Sequence, residues 1–309
     1  MPKPSFNPRP IPIPRQMAPT ESQRAVRAAL LTMGELFFEN LQSLPSGLRL
    51  RLSPLVVGPP GSGKTHLIGG VAATLSADYI RLCRSEWIPE GSTKGRPTLY
   101  RVLDRLAVTR RVLVHIDELC KLQIDFGAQE WSASIACEIL NLADRILPVA
   151  EYLRETQFPG RETPTADEVN SWVMRGCWVV GSGAWQRVYQ ENRAGSAIGF
   201  ERAGDARAVT ADTIARSRLI SPEILFRFNS EILFISVPGP VETAQLLEST
   251  GINALASELG ITIAPEEIQW ENKGGMRVLE TLATRLVMAR YERDRKMRAE
   301  TRTEPAIDW

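Results

Sequence analysis

The stretch Gly58–Thr65 constrains the fold of this chain more than any other. It reads Gly-Pro-Pro-Gly-Ser-Gly-Lys-Thr, which fits the pattern G-x-x-x-x-G-K-[ST] of a phosphate-binding P-loop. The apolar run Leu55–Val57 predicts a buried strand before the loop, and His66–Leu75, which contains no proline, predicts a helix after it. Strand, loop and helix therefore follow one another in the order that nucleotide binding requires.

The residue types in this loop match the chemistry of a bound triphosphate. Glycines let backbone N–H groups approach phosphate oxygens without a Cβ in the way, and the start of the following helix adds partial positive charge. Lys64 would neutralise the β- and γ-phosphates, and the Thr65 hydroxyl would take one position on a Mg²⁺ ion. We therefore expect ATP and Mg²⁺ as cofactors. The predicted nucleotide-binding residues are Gly58, Pro59, Pro60, Gly61, Ser62, Gly63, Lys64, Thr65 and His66.

A second strand signal ends in two carboxylates. The stretch Arg111–Glu118 places apolar residues before Asp117 and Glu118, as expected for a strand that is buried on both faces. This is a Walker B pattern, in which Asp117 would hold the metal ion and Glu118 would polarise the attacking water. An acidic strand end in an ordinary turn is the alternative, and the P-loop earlier in the chain disfavours it.

Composition limits the classes of partner. The formal net charge of the 309 residues is +1, so no global field favours nucleic acid or a membrane surface, and a DNA contact would need a local patch. No apolar run approaches the roughly 18 residues of a membrane span. The four cysteines contain no C-x-x-C pair and the chain has only two histidines, which leaves little from which to build a zinc site. These features predict reduced thiols and a cytoplasmic protein without membrane contact.

Proline content and helical periodicity divide the chain into predicted regions. Seven of the first nineteen residues are proline, which favours polyproline II and predicts a disordered arm. A capping-box sequence at Thr20–Gln23 predicts the start of an amphipathic helix, and Pro238–Pro240 predicts a domain boundary followed by helices. The predicted regions are a proline-rich arm at 1–19, a large α/β nucleotide-binding domain at 20–237, a small helical lid domain at 238–300 and a tail at 301–309.

Three further segments lie within the predicted α/β domain. Glu130–Val149 predicts one helix, and Glu151–Glu168, with its prolines and charges, predicts a connection. Cys177–Trp185 predicts a buried strand that ends in small residues. Its Ser182 could reach a nucleotide or a water molecule through its hydroxyl, although small residues after a strand commonly form only a turn.

Together these motifs resemble the AAA+ ATPases over about residues 20–300. The resemblance rests on the P-loop, the Asp117-Glu118 pair, the small-residue strand end at Ser182, the Arg227-Phe228 pair and Gly274–Arg277. Within that superfamily the chain looks most like the ClpX and HslU branch. Gly183-Ala-Trp is similar to the Gly-Ala-Phe of that branch, and Leu219–Phe228 is similar to its Leu-Ile-Pro-Glu-Phe-Ile-Gly-Arg-Phe. The implied fold is a three-layer α/β domain with a parallel sheet, followed by a small helical lid.

The resemblance also implies roles for single residues. AAA+ proteins of this branch form hexameric rings with each nucleotide between two subunits, so Arg227 would be the arginine finger that reaches a neighbour's γ-phosphate. Arg277 would be sensor 2 for the nucleotide of its own subunit, and Ser182 would occupy the sensor 1 position. With Glu118, these are the predicted catalytic residues. Surface arginines without a special role are the alternative at 227 and 277.

The same resemblance implies a protein partner. Ile198, Gly199 and Phe200 lie where ClpX carries the Ile-Gly-Phe loop that docks on the ClpP protease, although Phe200 could equally pack against its own domain. The loop Gly91–Gly95 corresponds to the segment with which ClpX grips polypeptide, but it contains no aromatic residue. Trp87 is nearby but out of register.

Two functions follow from these observations. The first is an ATP-driven ring of the ClpX type that remodels or unfolds protein substrates, with a ClpP-like protease as a further partner. The alternative is an ATP-dependent switch or scaffold that assembles on DNA or on an effector protein, where Lys94 and Arg96 would suit a phosphate backbone. A P-loop fold without hydrolysis is disfavoured because Lys64, Glu118 and Arg227 are all present.

Overall fold

The computed structural model describes eight segments of the chain, namely residues 20–40, 52–92, 95–121, 130–159, 162–188, 210–228, 231–268 and 277–301. They belong to two compact units. The first, which we call the large unit, spans Glu21–Ser236, and the second, the C-terminal unit, contains the described residues from Val237 onward. The proline-rich arm, the loop with Ile198, Gly199 and Phe200, and the tail at 302–309 lie outside the described residues.

The large unit is built on a five-stranded sheet whose described pairings are all parallel. The strands are β1 (Leu55–Val57), β2 (Asp78–Leu82), β3 (Val112–Ile116), β4 (Cys177–Gly183) and β5 (Ile232–Phe234), in the spatial order β2-β3-β4-β1-β5. Gly181 of β4 lies opposite Leu55 on one side and Ile116 on the other. The predicted α/β fold with a parallel sheet is confirmed, and this register brings the carboxyl ends of β1, β3 and β4 to one edge.

Eleven α-helices are described. In the large unit they are α1 (Glu21–Asn40), α2 (Lys64–Thr74), α3 (Thr98–Thr109), α4 (Glu130–Asp144), α5 (Val149–Glu155), α6 (Ala166–Gly176), α7 (Ala211–Arg216) and α8 (Pro222–Arg227). In the C-terminal unit they are α9 (Pro240–Ser249), α10 (Ile252–Glu258) and α11 (Arg277–Thr301). Short 3₁₀ turns occur at Arg84–Glu86, Leu119–Lys121 and Pro265–Glu267. Of the described helices, none is long and apolar enough to cross a bilayer.

Helices cover both faces of the sheet, which makes three layers. Because successive strand residues point to opposite faces, Cys177 and Val179 enter one core while Trp178 and Val180 enter the other. The first core is formed with α3 to α8, and the second, which we call the α1–α2 core, is formed with α1 and α2. Polar strand residues on the second face therefore lie on the same side of the sheet as the helix that follows the P-loop.

The secondary structure predicted for two segments was wrong. The single helix predicted for Glu130–Val149 ends at Asp144, and Pro148 caps a separate helix, α5, because proline is tolerated at a helix start but not in its interior. The connection predicted for Glu151–Glu168 contains most of α5 and the first turn of α6. There Thr165 and Glu168 form a capping box in which each side chain bonds the other residue's backbone N–H.

The C-terminal unit has its own small core. Its buried residues are Leu246, Leu247, Ile252, Ala256, Leu279 and Leu286. Leu279 and Leu286 are seven positions apart and lie on one face of α11, and Leu282 packs against the same core. Arg290 of α11 forms an ion pair with Glu258 at the end of α10, with 3.1 Å between their charged atoms.

Two glycine-to-alanine substitutions should have opposite effects on the stability of the large unit. A Cβ at Gly176 would lie 2.0 Å from the Arg110 carbonyl oxygen, whereas a Cβ at Gly70 in α2 would meet nothing within 4 Å. We expect Gly176→Ala to lower the free energy of unfolding by about 1–3 kcal/mol, because backbone must move. Gly70→Ala should raise it by up to about 1 kcal/mol through helix propensity. Urea unfolding followed by circular dichroism measures both, and equal midpoints would contradict the packing of α6 against Arg110.

Candidate nucleotide-binding site

The P-loop follows β1 and leads into α2. Gly61 and Gly63 have φ angles of 74° and 80°, in the left-handed region that favours glycine. Gly58 is constrained differently, since a Cβ there would lie 2.9 Å from both the Ile235 carbonyl oxygen and Ser62 Oγ. The three glycines of the motif are therefore each required by the shape of the loop.

Lys64 is 9 % exposed and lies against the loop that precedes it. Its Nζ donates to the carbonyl oxygens of Gly58, at 2.7 Å, and Pro59, at 2.9 Å, and it lies 3.3 Å from Ser62 Oγ. His66, by contrast, is exposed. The ammonium group is thus held at the inner side of the loop, where the sequence places a phosphate-binding cation.

The P-loop also has a contact that sequence reasoning missed. Gln23 in the first turn of α1 donates from Nε2 to the Ser62 carbonyl oxygen at 2.8 Å. In the sequence Gln23 contributes only to a capping-box pattern, and nothing in that pattern indicates a contact with a residue 39 positions away.

Asp117 lies just beyond β3, and both oxygens of its carboxylate accept hydrogen bonds. Oδ2 accepts from Thr65 Oγ1 at 3.0 Å and from Arg81 Nε at 2.8 Å. Oδ1 accepts from Ser182 Oγ at 2.7 Å and from the backbone N–H of Glu118 at 2.9 Å. The structure therefore brings three of the predicted site residues, Thr65, Asp117 and Ser182, into direct contact.

The charge of Asp117 is stabilised by these donors. Burial alone would raise the pKa of the carboxyl group, but the hydrogen bonds from Ser182, Arg81 and Thr65 lower it to about 2. Asp117 is therefore ionised at neutral pH. Arg81, on β2, is a second residue that the motifs did not indicate.

His115 is a third such residue. It lies on β3, is fully buried, and contacts Tyr79 Oη through Nδ1 at 2.7 Å and Ser182 Oγ through Nε2 at 2.8 Å. Burial lowers the pKa of His115 to about 4, so the imidazole is neutral at neutral pH. The only sequence signal was a lone polar residue within an apolar strand.

Glu118 has a φ angle of 58°, which is unusual for a residue with a side chain. Its side chain is 48 % exposed, and Oε1 accepts a hydrogen bond from Lys121 Nζ at 2.7 Å. It borders a cavity of about 820 Å³, whose other lining residues are Arg84, Ser85, Glu86, Trp87, Ile88 and Lys121. The carboxylate is thus accessible to a water molecule.

The remaining predicted residues are not brought to this site by the described contacts. Arg227, at the end of α8, donates from Nε to Asp144 Oδ2 at 2.7 Å and from Nη1 to the Glu223 carbonyl oxygen at 3.1 Å. Arg277 begins α11 in the other unit, and its side chain lies outside the described residues. Trp87 is 3 % exposed and donates from Nε1 to Glu138 at 2.7 Å, so it is a buried anchor of its loop.

A strand, a glycine-rich loop and a helix whose first threonine contacts a carboxylate at the end of a neighbouring parallel strand define a P-loop nucleotide-binding site. Comparison with known families indicates which class of P-loop protein this site resembles. Residues 54–147 match the model of the ATPase family associated with various cellular activities (AAA). This match covers under a third of the chain and supports the AAA+ superfamily for that part of it.

Curated relatives agree with this placement over about a third of the chain. A probable 26S proteasome regulatory subunit 6B from Caenorhabditis elegans is 33% identical over 120 residues, which are 37% of this chain and 27% of the relative. Proteasome-activating nucleotidase 2 from Haloferax volcanii is 38% identical over 103 residues, or 32% and 23%. A Lon protease from Lachnoclostridium phytofermentans is 28% identical over 122 residues, or 34% and 15%. The chain thus spans about a quarter or less of these relatives, and the matches give no specific support to the ClpX and HslU branch.

Removal of the Lys64 ammonium group should weaken nucleotide binding. A hydrogen bond to a charged group contributes about 1.5–3 kcal/mol, so Lys64→Ala should raise the Kd for a fluorescent ATP analogue with Mg²⁺ at least about tenfold. Lys296→Ala is the matched control, because Lys296 is exposed on α11 in the other unit. An unchanged Kd for Lys64→Ala would contradict the assignment of this loop as the phosphate site.

Proposed function

We propose that this protein is an ATP-hydrolysing AAA+ ring protein that uses ATP to remodel or unfold other proteins. The observation that carries the proposal is the contact of Thr65 with an ionised Asp117, which is followed in the chain by an exposed carboxylate, Glu118. The AAA domain match supports ATP hydrolysis, and the names of two relatives, a proteasome regulatory subunit and a proteasome-activating nucleotidase, support action on proteins.

The donor set fits Mg²⁺. Thr65 and Asp117 would hold the ion, since both present oxygen atoms, which Mg²⁺ prefers, and these atoms are 3.0 Å apart. When bound, Mg²⁺ neutralises charge on the β- and γ-phosphates. Lys64 would exchange its loop carbonyl partners for phosphate oxygens, with which a cation forms stronger hydrogen bonds. Glu118 would orient the attacking water and accept its proton.

We further propose a homo-oligomeric ring, hexameric by resemblance, in which Arg227 acts on the nucleotide of the neighbouring subunit. Arg227 and Asp144 are each 29 % exposed, and an ion pair at such a site contributes about 1 kcal/mol or less. Arg227 could therefore leave Asp144 for a phosphate at small cost. Arg277 would act as sensor 2 and Ser182 as sensor 1.

The finer assignment to the ClpX type rests on sequence resemblance. Docking on a ClpP-like protease through Ile198, Gly199 and Phe200 belongs to this proposal, and these residues lie outside the described part of the chain.

We also propose a reducing, cytoplasmic location, because all four cysteines are free.

Glu118→Gln tests the remodelling function. The variant should bind ATP and assemble, yet hydrolyse ATP at least about 100-fold more slowly, because the general base is lost. Wild-type protein with ATP should abolish the fluorescence of a tagged, folded reporter protein, and Glu118→Gln should not. Glu86→Gln, which lines the same cavity, is the control and should retain turnover. Stimulation of wild-type ATPase by DNA and not by unfolded protein would favour the switch or scaffold alternative.

Arg227→Ala should bind ATP but hydrolyse it on the order of 1000-fold more slowly, because a planar cation no longer stabilises the transferring phosphoryl group. A mixture of Arg227→Ala with Lys64→Ala should regain part of the activity, since some interfaces then combine an intact P-loop with an intact Arg227.

Asp144→Asn is the control for the Arg227 experiment, because it weakens the pair within one subunit and leaves Arg227 in place. It should retain turnover. If Asp144→Asn reproduces the defect and the mixture stays inactive, Arg227 acts within its own subunit and the trans-acting role is wrong.

A further inference from the structure

Four polar side chains from three adjacent strands form a continuous series of contacts inside the large unit. Tyr79 Oη lies 2.7 Å from His115 Nδ1, His115 Nε2 lies 2.8 Å from Ser182 Oγ, and Ser182 Oγ lies 2.7 Å from Asp117 Oδ1. We call this series the Tyr79–Asp117 chain. Tyr79, His115 and Ser182 lie on β2, β3 and β4, and Asp117 follows β3 directly. Positions 115, 117 and 182 have the strand parity that faces the α1–α2 core.

The contacts admit one assignment of hydrogens. The Ser182 hydroxyl donates to Asp117 Oδ1. Ser182 has no second hydrogen, so its oxygen must accept from His115 Nε2–H. In the tautomer that carries its hydrogen on Nε2, Nδ1 is an acceptor, and the Tyr79 hydroxyl donates to it. Every donor is therefore directed toward the carboxylate.

This direction matters because a serine hydroxyl can otherwise rotate. Ser182 is fully buried, and the N–H of His115 occupies one of the lone pairs of its oxygen. With that lone pair used, the O–H is directed at Asp117 Oδ1, and the carboxylate presents Oδ2 to Thr65. A valine at position 115 would suit an apolar strand better. Burial of the polar imidazole costs free energy, and packing alone does not explain why a histidine is present.

We infer that His115, anchored by Tyr79, is a positioning residue that acts through Ser182 to orient Asp117 for binding of Mg²⁺ with ATP. The inference rests on the proposed function, since it concerns the same site. It adds two residues to which neither the P-loop nor the Walker B pattern assigns a role. Residues that orient a metal ligand typically change metal affinity by 10–100-fold when they are replaced.

The test is the Mg²⁺ dependence of binding of a non-hydrolysable fluorescent ATP analogue to the full chain. His115→Leu places an apolar side chain of similar volume in the buried position, and we expect it to raise the half-saturating Mg²⁺ concentration about tenfold. Affinity for the analogue in EDTA should stay within twofold of wild type. His115→Gln, whose amide can still donate to Ser182, should recover most of the loss.

Two further variants separate positioning from a general packing role. Because His115 acts through Ser182, the double variant His115→Leu/Ser182→Ala should be no worse in Mg²⁺ dependence than Ser182→Ala alone. Tyr79→Phe removes only the outermost hydroxyl and should shift Mg²⁺ dependence about two- to fivefold in the same direction. If His115→Leu fails to fold, Tyr79→Phe still tests the positioning role. Tyr100→Phe is the matched control, since its hydroxyl bonds Glu90 elsewhere in the domain.

The outcomes are distinct. Additive losses in the double variant, or equal losses with Mg²⁺ and with EDTA, would overturn the positioning role. So would Mg²⁺-independent binding of the analogue to wild-type protein. If wild-type protein binds the analogue with Mg²⁺ but does not hydrolyse ATP, the proposed function fails, while the binding measurements still decide the role of His115.

Discussion

The carboxylate of Asp117 is the interaction on which the rest of the site depends. A largely buried charge is stable only when its oxygens are well supplied with donors, and here donors come from the P-loop helix, from β2, from β4 and from the following backbone. The first three of these segments are distant from Asp117 in sequence and are brought to it by the register of a parallel sheet. The ionised state of Asp117 therefore depends on the register between neighbouring strands.

The features of this site that depend only on neighbouring residues in the sequence were the ones predicted. A P-loop needs glycines at fixed spacing, and a strand buried on both faces needs a run of apolar residues, so β1, the start of α2 and the end of β3 were each predictable from a few neighbouring residues. The parallel sheet was implied by the resemblance to AAA+ ATPases that these motifs support. The division of one predicted helix into α4 and α5 was missed because the preference of Pro148 for a helix start was outweighed by the helical pattern around it.

Contacts between side chains of distant residues were not predictable in this way. Gln23, Arg81 and His115 contact the site through partners 36 to 67 positions away, and no spacing rule links such pairs. The assignment to the ClpX and HslU branch was also difficult to establish from the sequence. The AAA match ends at residue 147, whereas the features that resemble ClpX, among them Phe200 and Arg277, lie beyond it. The shared core of the domain is therefore better supported than the features that distinguish its branches.

Glu118 combines a left-handed backbone with a side chain that the chemistry needs. A residue with a Cβ in that conformation costs on the order of 1–3 kcal/mol, which glycine would avoid. Selection for thermal tolerance alone would therefore favour glycine at this position and eliminate the carboxylate with it. An engineer who seeks a more heat-resistant form of this domain has to leave position 118 unchanged and find compensating substitutions in helices and cores remote from the bend.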